Sequence, residues 1–105
     1  MIILTDENFE KEIARAKLPV LVDFYADWCG PCQALSPILE NVEKEMDGKI
    51  ILAKTNVDSA KVASSKFKVE RIPTVMLFKD GKPLGGFIGM AEGVDIKKWL
   101  GETIK

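Results

Sequence analysis

Val22-Asp23-Phe24-Tyr25-Ala26-Asp27-Trp28-Cys29-Gly30-Pro31-Cys32 is the most informative stretch of this 105-residue chain. It closes an apolar run of strand length, Val20–Tyr25, broken by one acid, Asp23. Two cysteines follow, with two residues between them. After them Leu35, Ile38, Leu39, Val42 and Met46 recur at helical spacing as far as Gly48, a residue suited to the position after a helix end. The stretch therefore reads as strand, Cys-x-x-Cys, helix. Thiol–disulfide exchange needs a cysteine that ionises readily and can be reached, because the thiolate is the nucleophile. A cysteine just before a helix meets free backbone N–H groups and the positive end of the helix dipole, both of which favour the thiolate. Cys29 takes that position. Pro31 is tolerated in the first turn, where its missing N–H costs nothing, and the two-residue spacing returns Cys32 to Cys29 across one turn.

Outward from this segment the chain alternates. Ile2–Leu4 reads as a short strand. Asp6 and Glu7 stand where a first helical turn favours acids, with Phe9, Ile13 and Ala16 following at helical spacing until Pro19. Pro37, inside the long helix, predicts a kink. Ile50–Ala53 reads as a second buried strand, and Ser59 to about Phe67 as a short helix with Val62, Ala63 and Phe67 on one side. Thr74–Phe78 is a strand, Asp80-Gly81 a hairpin turn, and Leu84–Ile88 the return strand. Ile96, Trp99, Leu100 and Ile104 mark a last amphipathic helix. The order βαβαβα, hairpin, α predicts an α/β fold. Early strands joined by crossover helices are parallel, the hairpin adds antiparallel strands, and helices cover both faces.

The composition excludes several function classes. Fifteen basic residues against 16 acidic ones leave a net charge of −1, without the basic footprint of a nucleic-acid or anionic-membrane binder. No apolar run approaches the roughly 20 residues of a membrane helix, and the N-terminus lacks the pattern of a secretory signal. Length predicts one domain over residues 1–105. With no histidine in the chain, Cys–His nucleophilic catalysis and imidazole metal ligation are excluded. Gln33 after Cys32 rules out the haem-attachment motif. Two bland readings of the cysteines stay open. A zinc site needs more ligands than two thiolates, so it would require a second chain. A structural disulfide here would close a very short loop and stabilise little. Asp23 is read equally well as a surface carboxylate on an edge strand, and Pro73 as the start of a strand.

The active-site string above, Ile72-Pro73-Thr74, Phe78-Lys79-Asp80-Gly81 and Gly89 resemble the thioredoxin family, and the resemblance covers essentially the whole chain. It implies the thioredoxin fold: a central five-stranded mixed sheet flanked by four helices. It implies a protein-disulfide reductase in which Cys29 is the nucleophile and Cys32 resolves the mixed disulfide. It further implies a buried Asp23 behind the cysteines as proton acceptor for Cys32, tuned by Lys54 nearby. Ile72–Pro73 would be a cis peptide facing the cysteine pair, with the Ile72 backbone open to an extended substrate segment. Trp28, Gly30, Pro31, Ile72, Pro73 and Gly89, with Val57, Ile88 and Met90, would form the apolar patch that receives substrates. No cofactor is expected beyond the redox-active Cys29–Cys32 disulfide, since no dinucleotide fingerprint is present. The implied partners are disulfide-containing proteins and a thioredoxin reductase, an NADPH-dependent flavoprotein or a ferredoxin-linked enzyme. A cytoplasmic monomer is expected. Tyr25, Gln33 and Arg71 depart from common bacterial members of the family, which bears on partner preference and potential. Two other functions remain: an oxidising or isomerising relative, disfavoured by Gly30-Pro31 and the lack of histidine, and a scaffold that uses the fold without electron transfer.

Overall fold

The computed structural model describes residues 2–104, so Met1 and Lys105, the ends of the expected 1–105 domain, lie outside the described residues. Nine elements run in the order β1 (Ile2–Leu4), α1 (Phe9–Arg15), β2 (Val20–Tyr25), α2 (Gly30–Glu45), β3 (Ile51–Asn56), α3 (Lys61–Lys66), β4 (Thr74–Lys79), β5 (Lys82–Ile88) and α4 (Gly93–Thr103). The five strands form one mixed sheet in the order β1-β3-β2-β4-β5. β3 pairs in parallel with β1 and β2, as the crossover helices require, while β4 pairs antiparallel with β2 and β5. The fold is therefore the expected mixed sheet with four helices.

Alternation along β2 divides the core. Val20, Val22 and Phe24 face one side, where Phe9 and Ile13 of α1, Ala63 of α3, and Phe78 complete a cluster. Leu21 faces the other side with Leu35, Leu39 and Val42 of α2 and Ile96 and Leu100 of α4. Asp23 shares this second face. β2 has a neighbour on both sides, so the edge-strand reading of Asp23 fails: the residue is only 1% exposed.

Several local expectations are corrected. β3 runs on to Asn56, three residues past the expected Ala53, because pairing with both β1 and β2 holds Lys54, and pairing with β2 holds Asn56, in the ladder although their polar side chains end the apolar run. α3 starts at Lys61, and Val62, expected on the packed side, is 69% exposed; Ala63 and Ser64 are the residues turned inward. β5 starts at Lys82, straight after the turn. Asp80 and Gly81 both have positive φ, 53° and 81°, as a tight two-residue hairpin turn requires. Asp47, at φ 46°, follows the C-cap Met46 of α2, one residue before the expected Gly48. Asp6 and Glu7 precede α1 instead of forming its first turn, lying in the turn that leads into it, which Phe9 N–H closes on Thr5 O at 2.9 Å. Asp6 is spent elsewhere: its carboxylate accepts from the N–H groups of Val62 (3.2 Å) and Ala63 (2.9 Å), capping α3 from across the fold.

Candidate active site

The end of β2 and the start of α2 place the two cysteines. Cys29 is the N-cap residue of α2, in extended conformation, and its Sγ accepts from the Cys32 N–H at 3.2 Å. A sulfur thus occupies the place that a serine or aspartate oxygen usually takes at a helix start. Pro31 lies in the first turn, as expected. Cys29 and Cys32 are joined in a disulfide, with Cα atoms 5.3 Å apart. The pair sits in a small apolar cluster with Ala26, Tyr25, Val57 and Ile72. Cys29 is 5% exposed and Cys32 is 2% exposed.

The loop before β4 closes over this pair. The Ile72–Pro73 peptide is cis, as the resemblance implies, and Pro73 directly precedes β4. Ile72 packs on the cysteine cluster, and Pro73 is buried. Pro73 O accepts from Gly89 N–H at 2.8 Å, which ties the end of β5 to the same loop. Gly89 has φ 88°, a conformation that disfavours a side chain. Ile88 and Met90 on either side are exposed, as are Gly30 and Pro31. Trp28 is 71% exposed, and its indole N–H donates to Asp58 Oδ2 at 2.8 Å.

Asp23 lies opposite Lys54 in the β2–β3 register. Neither Asp23 carboxylate oxygen has a hydrogen-bond partner. Burial, partly offset by the Lys54 charge, pushes its pKa up from 3.8 to about 6. The Lys54 ammonium donates to Ser36 Oγ at 2.8 Å and stands 4.8 Å from the centroid of the Tyr25 ring. Beside it opens a cavity of about 500 Å3 whose wall includes Tyr25, Asp27, Cys32, Gln33, Ser36 and Lys54.

A sequence profile described as Thioredoxin matches residues 1–102. The chain belongs to the thioredoxin family. The thioredoxin of Rickettsia felis is 41% identical over 101 residues, 96% of each chain. That of Rickettsia bellii is 40% identical over 101 residues, again 96% of each. The thioredoxin of Buchnera aphidicola is 38% identical over 104 residues, 99% of this chain and 96% of its own. With the cysteine pair at disulfide distance, the thioredoxin membership makes the chain a thiol–disulfide oxidoreductase.

This thioredoxin-family site contains three groups that sequence reading passed over. Asp58 anchors the Trp28 ring, and Ser36 holds the Lys54 ammonium. Asn56 donates to Asp27 Oδ2 at 3.5 Å, beside the Gln33 side chain, which donates to Asp27 O at 2.9 Å. Asp58 lies 30 residues beyond Trp28, so no local pattern connects the two. Ser36 carried a weak signal, since it follows Cys32 by one helical turn and must share its face. Among the described residues no cluster of three or more acidic, cysteine or histidine side chains is placed to hold a metal ion. No helix of the structure is long and apolar enough to cross a membrane.

Proposed function

We propose that the protein is a general protein-disulfide reductase of the cytoplasm, working as a monomer. Cys29 thiolate attacks one sulfur of a substrate disulfide, and the other leaves as a thiolate. Cys32 then gives its proton to Asp23 and attacks Cys29 Sγ. The second substrate sulfur leaves, and the Cys29–Cys32 disulfide remains. Two electrons have passed to the substrate. A thioredoxin reductase, an NADPH-dependent flavoprotein, returns them, so the chain itself holds no cofactor. Trp28, Gly30, Pro31, Ile72, Pro73 and Gly89 receive the substrate around the cysteines, and Lys54 tunes Asp23.

The observation that carries this reading is the Cys32 N–H directed at Cys29 Sγ at the N-terminus of a 16-residue helix. A donor fixed there favours negative charge on that sulfur as attacker and as leaving group. The slightly greater exposure of Cys29 supports its being the outer, attacking member. The buried Asp23 supports the acceptor role, since a carboxylate poised near neutrality matches a proton transfer at neutral pH.

The test is the equilibrium reduction potential of the Cys29–Cys32 pair in defined thiol buffers. A potential near about −270 mV, the figure general to thioredoxins, is expected. A value nearer about −120 to −180 mV belongs to oxidases and isomerases and would replace the reductase reading.

A further inference from the structure

Asp23 and Lys54 are register partners on adjacent strands, and both side chains emerge on the α2 face of the sheet. A buried carboxylate should draw such an ammonium to itself. Here it does not. Lys54 Nζ is held by Ser36 Oγ at 2.8 Å and by the Tyr25 ring face, while both Asp23 oxygens remain without a partner. Ser36 is suited to this hold. It stands on α2 one turn after Cys32 and therefore over the same strands. Its hydroxyl proton points to Glu40 Oε2 at 3.4 Å, which leaves the oxygen lone pairs for Lys54. Glu40, Ser36 and Lys54 thus form a chain of donors and acceptors, and Ser36 and Lys54 share the wall of one cavity with Cys32.

We propose that Ser36 is a positioning residue for the resolving step: it keeps the Lys54 ammonium at the cavity wall, apart from Asp23, and so sets how strongly that charge acts on Asp23 when Cys32 gives up its proton. The inference rests on Asp23 as the proton acceptor. In the step concerned the Cys32 S–H proton moves to an Asp23 oxygen. A bond forms between Cys32 sulfur and Cys29 Sγ, and the bond from Cys29 to the substrate sulfur breaks with its electron pair on the substrate. An ammonium in contact with Asp23 stabilises the carboxylate and weakens it as a base; one held away leaves it a stronger base. The remaining titratable groups around the pair are Cys32, Glu40 and Glu43 on α2, Tyr25 on β2 and Asp27 in the next loop. Glu43 is engaged by the Leu52 N–H at 2.8 Å and Asp27 by Asn56 at 3.5 Å. On β4 the register neighbour of Asp23 is the apolar Val75. Lys54 is the cation of this set, and Ser36 is its hydrogen-bonded anchor.

The experiment follows the Asp23 carboxyl carbon by NMR against pH in the oxidised protein, and the pH profile of the resolving step in rapid mixing. In Ser36→Ala the released ammonium swings to the open carboxylate, and both midpoints fall by about one unit or more. Ser36→Thr keeps the hydroxyl and titrates as the parent does. On a Lys54→Met background, Ser36→Ala produces no further shift, as a shared pathway requires. A midpoint unmoved by Ser36→Ala, or moved equally with and without Lys54, overturns the inference. So does an NMR shift that the kinetic profile does not follow. An undiminished resolving rate in Asp23→Asn overturns the acceptor role itself, and this inference with it. The NMR titration needs no turnover, so the two failures are told apart.

Discussion

Asp23 is a buried acid with no hydrogen-bond partner, and that makes the stability of the protein depend on pH in a definite direction. The folded carboxyl holds its proton up to about 6, the unfolded one only to 3.8. Between these values the native state binds more protons, so stability falls as pH rises through the window and levels off above it. Asp23→Asn removes the ionisation. Its stability relative to the parent should rise by about 2–3 kcal/mol between pH 4 and pH 8, measured by urea unfolding at both. A constant difference across that range would mean that Asp23 ionises as freely in the fold as in the unfolded chain. At this scale the sequence was partly legible. The cysteines and Trp28 declare themselves by adjacency, and Pro31 by its tolerance in a first turn. The burial of Asp23 did not follow from spacing, since one acid in an apolar run fits an edge strand as well as a central one; the family pattern decided it. Asp58 was invisible and Ser36 only faintly marked, because their partners, Trp28 and Lys54, are far off in the chain, at separations that no local period encodes.

Helices and strands were largely legible, because each carries its own period, and the errors cluster at ends where a tertiary contact overrides local preference. The first two acids of the chain show the mechanism. Local rules assign Asp6 to the start of α1, but Asp6 lies in the turn before that helix and serves α3. α3 has six residues and no side-chain cap of its own, so it depends on this remote carboxylate. Asp6→Ala should cost about 1 kcal/mol in global unfolding. It should also raise amide exchange at Val62 and Ala63 selectively, while α1 is left unaffected. Loss of protection in α1 instead would return Asp6 to its local role. The extension of β3 has the same origin. Lys54 ends the apolar run, yet backbone pairing on both sides holds it in the strand, which is what brings it opposite Asp23.

For the molecule as a whole, free energy comes from two apolar layers on either side of one sheet. Charge contributes little. The three ion pairs among the described residues, Arg15–Glu12, Lys66–Glu10 and Lys97–Glu45, lie at the surface, where such pairs are worth little and salt screens them. Raising NaCl from about 0.05 to about 0.3 M should therefore change the unfolding free energy by less than about 1 kcal/mol; a larger loss would reveal a charge network that these pairs do not describe. The sequence foretold the α/β class and the parallel and antiparallel halves, but not the strand order. Apolar strands of similar length carry no local mark of which neighbour they take. That order has a consequence in time. β2, which leads into the cysteines, pairs with β3 and β4, and Ile72 covers the pair from the loop before β4. β3, Ile72 and β4 all follow Cys32 in the chain, β4 by about 45 residues, so at ordinary rates of synthesis the last of them arrives roughly 2–9 seconds later. For that interval the sheet cannot close around β2, and the cysteine pair has neither its strand neighbours nor its Ile72 cover.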